Sequence, residues 1–460
     1  MVFSLKGNGV LTSSRVWVGT PQPFFYAWNL RKPIVYAQRQ PLREPEKAAL
    51  TLGYIPLTDC APLVVALEQG FFAQYGLDVV LSREPSWANI RDKVGIGLLD
   101  GAQMLAPMPL ASSLGADALA QPMVVGLSLG LNGNAITVSQ ALYRRLVEQD
   151  PHAMANEPIT ARALRKLLAA DRAEGREPPT FAMVYPYSSH NYLLRYWLAA
   201  GGVDPDRDVR LIVVPPPRMV EQLEAGRIDG YCVGEPWNSA AVASGVGRVL
   251  LASCDIWNNH PEKVFSVTQS WAEQHPATHQ ALIMALIEAC RWLDDPINRL
   301  KAASLLAQPD YLDTPESVVL AGLTGRFRQA AGEGERYLPD FHVFHRYAAN
   351  FPWLSHAEWI VTQMLRWHQI EAPADWPRRV RAVYRPDLYR AAADALGLPC
   401  PAFERKSEGA HDEPWQPDDA SPTLGPDRFI DDRIYDERDP LLYLHSFSPD
   451  PGAANGDVRS

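Results

Sequence analysis

The chain has 460 residues, 47% of them hydrophobic and 21% charged, and a formal net charge of -10. That length exceeds one ordinary core, so two or three domains, or two lobes around a cleft, are expected. The acidic balance excludes a nucleic-acid surface, which needs a basic stripe, and means that any bound anion must be held by a local cluster of donors.

The first segment, MVFSLKGNGVLTSSRVWVGTPQPFFYAWNLRKP, is broken every few residues by Gly, Ser, Arg or Pro. A secretory leader needs an unbroken apolar stretch, and none is visible; residues 1–48 are expected to be a flexible extension. A short buried strand is predicted from Leu50 to Ile55, with Thr58 and Asp59 as helix N-cap candidates. A helix over 62–69 stopped by Gly70 and a strand over 77–81 follow. This β-α-β unit with a short crossover points to a parallel sheet. The pattern recurs through IRDKVGIGLLDGAQMLAP, with a strand after the turn at Asp100 and Gly101, and MVVGLSLGLNGNAITVS is strand-rich.

A basic amphipathic helix is predicted over 161–173, its charges a solvated face. FAMVYP, RLIVVPPP and DGYCVGEPW read as strands, alternating with helical SSHNYLLRYWLAAGG and RMVEQLEAGRI, the alternation of an α/β lobe. Beyond Ser266 the pattern is mostly helical. KSEGAHDEPWQPDDASPTLGPD is polar and Pro-rich, a surface loop or linker by composition, whereas RFIDDRIYDERDPLLYLHSF has enough apolar residues to dock. The division expected is a lobe over 49–135 and 250–400, a second lobe over 136–249, a polar loop and docked segment over 401–448, and a flexible tail over 449–460. No apolar run reaches the roughly 18 residues of a membrane span.

Catalytic patterns are missing: the sequence has no GxxxxGK[ST], no HExxH and no GxGxxG after a strand, and no GxSxG elbow, since GLSLG at 126–130 lies inside the strand-rich run MVVGLSLGLNGNAITVS rather than at a strand-to-helix turn. The five cysteines, Cys60, Cys232, Cys254, Cys290 and Cys400, show no CxxC spacing, so neither a zinc site nor a disulfide framework is expected. His356 and His368 form an isolated pair without further ligands. No enzymatic activity, metal or cofactor is predicted.

Ligands of open α/β sheets bind beyond the carboxyl ends of strands, and several polar residues fall there. Trp87, in EPSWANIRDKV, offers an indole N–H or fills core. Asn134, in LGLNGNAITV, can donate to a ligand or close a turn. His190, in YPYSSHNYLLRYW, lies where a strand becomes a helix, at a partial positive charge that favours an anion; capping is the plainer role. Glu235 and Trp237, in VGEPWN, read as hinge and wall of a cleft. Lys263, in HPEKVFSVTQSW, is a cation ahead of an apolar run; either it snorkels into water or it compensates a buried anion. A planar oxyanion such as nitrate only accepts hydrogen bonds, so it suits a lysine, an imidazole N–H, a carboxamide and an indole N–H.

The segments GYIPLTDCAPLVVALEQGFFAQYGLDV, SWANIRDKVGIGLLDGAQMLAPMPLA, LNGNAITVS, FAMVYPYSSHNYLLRYWLAAGGVDP, VVPPPRMVEQLEAGRIDGYCVGEPWN and HPEKVFSV occur in this order. Together they resemble the nitrate- and bicarbonate-binding branch of the ABC-transporter solute-binding proteins, over about Leu50 to Phe447. The resemblance implies an α/β, two-lobed periplasmic-binding-protein-like (type II) fold with a ligand cleft between the lobes. It also implies a nitrate site of tryptophan, glutamine, histidine and lysine; Trp87, His190 and Lys263 fall on those motifs, and Asn134 stands in the glutamine's loop. The bicarbonate branch does not keep the lysine, so Lys263 favours nitrate or nitrite.

Cytoplasmic nitrate sensors in this family lack an export signal and bind an RNA-binding antitermination regulator. The missing leader and unpaired cysteines resemble these, so the primary expectation is a cytoplasmic nitrate/nitrite sensor with no direct nucleic-acid contact. The alternative is an exported, periplasmic substrate-binding subunit that delivers nitrate to an ABC permease. A bicarbonate- or sulfonate-binding receptor ranks lower. So does a thiamine-pyrimidine synthase, whose cysteine-rich iron-binding segment has no counterpart around GYCVGEPW.

Overall fold

Two mixed sheets organise the chain. In the computed structural model, residues 43–371, 375–418 and 421–447 are described; residues 1–42 of the extension expected over 1–48 and the tail expected over 449–460 lie outside them, whereas Glu46 and Lys47 are hydrogen-bonded to Thr278. The first sheet has six strands in the order β13-β4-β10-β3-β1-β2. They are β1 (Ala49–Tyr54), β2 (Asp78–Arg83), β3 (Gly101–Leu105), β4 (Met123–Asn132), β10 (Pro261–Thr268) and β13 (His342–Val343). The second has five, in the order β7-β6-β8-β5-β9: β5 (Asn134–Ser139), β6 (Thr180–Met183), β7 (Arg210–Val213), β8 (Gly230–Gly234) and β9 (Gly247–Ala252).

The two sheets share one plan. β1 runs parallel to β2 and β3, and β6 runs parallel to β7 and β8. Into each sheet a strand from the other half of the chain is inserted antiparallel: β10 between β3 and β4, and β5 between β8 and β9. The parallel pairing expected from the first β-α-β unit holds for β1, β2 and β3, while the sheet as a whole is mixed. These inserted strands come from long-range crossings that local periodicity does not encode.

The chain passes between the two sheets at two places. The first is at Gly133, whose φ of +95° is left-handed and where an added Cβ would lie 2.2 Å from the His342 ring, so only glycine fits. The second is the segment between β9 and β10. Asn132 N–H donates to His260 O at 3.1 Å, and its Oδ1 accepts from His260 N–H at 3.2 Å, tying the two passages together. In chain order the second sheet thus begins at Asn134 and ends with β9. The stretch after Glu316 also reaches back to it: in the hairpin β11 (Arg326–Arg328) and β12 (Glu335–Tyr337), Phe327 packs with Ala135, Val242, Val249 and Ala252.

The core around the first sheet is the helix Pro276–Leu293 laid against the helix Ala61–Glu68 and β4, with Leu282, Ile283, Leu286 and Ile287 fully or almost fully buried. The C-terminal segment departs from the surface loop its composition suggests. Glu408 has no exposure and Asp427 only 1%; the Lys406 ammonium pairs with Glu408, and Glu408 exchanges backbone hydrogen bonds with Tyr435. Polar residues can dock when each charge has a partner, a property composition does not show. The strap also reaches the second lobe: Tyr196, on the helix Ser189–Ala200, donates to Asp431 at 2.8 Å and stacks on Phe429. No described helix is long and apolar enough to cross a membrane.

Candidate functional site

Between the sheets a buried polar cluster is assembled from six pieces of chain, carrying Asp59, Trp87, Gln103, Asn134, His190 and the pair Glu262 and Lys263. Trp87 is the first residue of the helix Trp87–Gly95, and His190 the second of Ser189–Ala200. Both helices start the same way: the Ser86 hydroxyl accepts from Asn89 N–H and the Ser188 hydroxyl from Asn191 N–H. Each cap fixes the first turn, where the partial positive charge of the helix favours an anion. Asn134 opens β5 just past Gly133, and Lys263 lies on β10.

Lys263 is 1% exposed, yet it is no free cation. Its ammonium lies 2.8 Å from Asp59 Oδ2 and 2.5 Å from Glu262 Oε1. Burial alone would push its pKa down, but the two carboxylates outweigh that and hold it raised and charged. Asp59 also accepts from Gln103 Nε2 at 2.5 Å; burial pushes its carboxyl up despite Lys263. Glu262 goes the other way: burial raises it, but Lys263 and His190 prevail and it stays lowered.

Adjacent strand residues normally face opposite sides of a sheet, so Glu262 and Lys263 should not meet. A register irregularity allows it: Pro261 pairs with Leu131 of β4 and Lys263 with Gly130, leaving Glu262 as the extra residue of a bulge. Asn134 then closes the cluster, with Nδ2 donating to Glu262 Oε2 at 2.6 Å. Its backbone N–H donates to Ser253 Oγ at 3.2 Å, so it is a cross-link rather than a turn residue.

Around this pairing several buried polar atoms have no hydrogen-bond partner among the described residues: Trp87 Nε1, Asn134 Oδ1, both ring nitrogens of His190, and Thr58 Oγ1. Native buried polar groups are almost always satisfied. The Lys263 ammonium lies 5.5 Å from the centre of the Trp87 ring, and His190 Nε2 lies 3.5 Å from Glu262 Oε1. Burial is the main cause holding His190 down at about 3, so its ring is neutral as it stands. Gly234, the last residue of β8, leaves room here: a Cβ would come within 3.4 Å of Asn134 Oδ1 and Asp59 Oδ2.

Glu235 and Trp237 lie apart from this pairing: Trp237 opens the helix Trp237–Ala243 and packs against the core, with its Nε1 buried and unpartnered among the described residues. Thr58 N–H donates to Glu235 O at 2.7 Å, and the Glu235 side chain packs on Gly322 while Oε2 accepts from Ser239 N–H. Burial raises Glu235 to about 7. The four residues expected to hold the anion thus converge, whereas Asp59, Glu262 and Gln103 come in addition. Asp59 does not cap a helix; its carboxylate is spent on Lys263. A buried lysine requires partners, the one signal in the sequence that could have pointed to these carboxylates.

Residues 43–307 match the NMT1-like family. The chain belongs to that family. Within it, the chain falls in the nitrate/bicarbonate branch of the ABC-transporter solute-binding proteins. It is 31% identical to the periplasmic nitrate-binding protein NrtA of Synechocystis, whose crystal structure matches at a TM-score of 0.77 over 88% of this chain and 100% of that one. The nitrate import ATP-binding protein NrtC of Synechocystis is 42% identical over 405 residues, 88% of this chain and 56% of that protein. The bicarbonate transport ATP-binding protein CmpC of the same organism is 40% identical over 402 residues, 87% and 55%. The chain therefore spans about half the length of those two relatives. The periplasmic-binding-protein-like fold expected from the sequence holds for this member of the family.

Proposed function

We propose that this protein binds nitrate and nitrite between its lobes as the receptor of an ABC importer. It would act on the periplasmic side, deliver the anion to a membrane permease, and carry out no catalysis. The observation that carries this reading is the convergence of Trp87, Asn134, His190 and Lys263 on one buried cluster between the sheets, with donors left unpartnered. An indole N–H and an imidazole N–H beside an ammonium match an ion that only accepts hydrogen bonds. Kinship to a periplasmic nitrate-binding protein and to an import ATP-binding protein favours the receptor over the cytoplasmic sensor with an RNA-binding regulator; only the five free cysteines support the latter.

A second reading, bicarbonate, is favoured by one feature. Asn134 Oδ1 is a buried acceptor without a donor, and bicarbonate has an O–H to give. Calorimetric titration with nitrate, nitrite, bicarbonate and methanesulfonate separates the two. Nitrate binding near micromolar affinity, about -8 kcal/mol, is expected; bicarbonate binding without nitrate binding would overturn the proposal. Fractionation of the native protein tests location, a periplasmic product being the expected result.

A further inference from the structure

We infer that the cleft takes up its oxyanion together with a proton, which His190 holds as an imidazolium between the anion and Glu262. This rests on the oxyanion reading above and adds the form in which the ion is bound.

The charges come first. Lys263 carries one positive charge, and two carboxylates already lie against it, Asp59 Oδ2 at 2.8 Å and Glu262 Oε1 at 2.5 Å. A buried anion would add a further negative charge with nothing to offset it. An anion plus a proton adds none.

Hydrogen bonding then selects the group that takes the proton. Asp59 accepts from Gln103 Nε2 and faces the Lys263 ammonium; Glu262 faces the same ammonium and accepts from Asn134 Nδ2. A proton on either carboxyl would confront a donor. Of the other imidazoles near the cluster, His260 is complete when neutral, its Nδ1 donating to Pro261 O at 3.1 Å and its Nε2 accepting from the Ser253 hydroxyl at 2.8 Å, and His342, stacked on Phe344, has burial and then the cations Arg299 and Lys263 set against its protonation. His190 differs, since both of its nitrogens are buried without a partner.

One of them, Nε2, is 3.5 Å from Glu262 Oε1. The Ser189 hydroxyl fixes that approach by donating to Pro261 O at 3.0 Å, which holds the start of the helix against β10. A neutral imidazole has a single N–H, but here both the carboxylate and the oxyanion can only accept. The imidazolium supplies an N–H to each. Without an anion, burial keeps His190 neutral, with Lys263 and His260 adding to the effect and Glu262 opposing it; the arriving negative charge reverses the balance.

The test is calorimetry of nitrate binding to the full chain in phosphate and in Tris, whose ionisation heats differ. Close to one proton taken up per nitrate is expected near pH 7, with affinity falling about tenfold per pH unit across the neutral range, because His190 of the free protein is neutral well above about pH 3. His190→Gln keeps one donor but cannot take a proton; its weaker binding should be independent of pH. Nitrate binding by the wild type without proton uptake, or unchanged uptake in His190→Gln, would overturn the inference and leave the nitrate reading standing. Failure to bind nitrate at any pH would overturn both. The wild-type measurement decides by itself if the variant does not fold.

Discussion

Glu262 and Lys263 are consecutive residues of β10, yet their side chains meet at 2.5 Å in the interior. The bulge that brings them together turns a lone cation into a compensated one, with Asp59 as the third member. Lys263 therefore places an N–H donor in the cleft at no excess of positive charge. The specificity of the site depends on the whole set of charges, not on the lysine.

Lys263→Met should leave Asp59 and Glu262 buried without a cation. A cost of about 3–5 kcal/mol in stability is expected, together with loss of nitrate binding. Urea denaturation and calorimetry read the two effects. The double variant Lys263→Met, Glu262→Gln should recover much of the stability and none of the binding; recovered binding would show that the ammonium is dispensable.

Asn134→Asp would set a third carboxylate against Glu262 Oε2, where the amide now donates at 2.6 Å. Nitrate affinity should fall by about tenfold or more at neutral pH and recover in part on acidification, as the new carboxyl protonates. An unchanged Kd at neutral pH would place the anion away from Asn134.

Glu235 gives a pH dependence of stability with a definite sign. Burial raises its carboxyl from 4.5 to about 7, so between these values the folded chain binds more protons than the unfolded one. Stability from this group is full below about pH 4.5 and is lost as pH rises to about 7, a change on the order of 3 kcal/mol. Glu235→Gln should remove that dependence, so the variant gains on the wild type between about pH 5 and about pH 8. Parallel stability curves for the two proteins would contradict it.

The strap should be held by its buried charges. Glu408→Ala removes the carboxylate beside Lys406 and His356; a destabilisation of about 1.5–3 kcal/mol is expected, because the lysine loses its nearer partner and keeps Asp427 at 3.5 Å. Hydrogen exchange should show faster exchange at the amide of Tyr435, which now donates to Glu408 O at 2.8 Å. Protection unchanged there would mean that the aromatic contacts of Phe429 and Tyr443 suffice.

The sequence is explicit about what is local. Strand and helix order through the second lobe, the helix over 162–173 and the burial of Cys60, Cys232 and Cys290 follow from periodicity and residue type. Trp87 and His190 are legible as site candidates because each falls just past a predicted strand, where ligands of open α/β sheets bind. Long-range pairing is different. The antiparallel insertion of β10 and β5 depends on the passage through Gly133 and on partners more than a hundred residues away. Nor does alternation reveal a bulge, so Glu262 reads as a residue on the far face from Lys263. The strap was opaque for a similar reason: its polar residues are buried by pairing, and Lys406, Glu408 and Asp427 become partners only once the chain has folded.

The location of the anion is the central question, and a crystal structure of the protein grown with nitrate answers it. The ion should lie with oxygens within about 3.2 Å of Trp87 Nε1 and of a ring nitrogen of His190, beside the Lys263 ammonium and with the Lys263–Glu262 pair intact. Nitrate bound tightly elsewhere, with Trp87 Nε1 and His190 still unpartnered, would contradict the assignment of this cluster as the binding site.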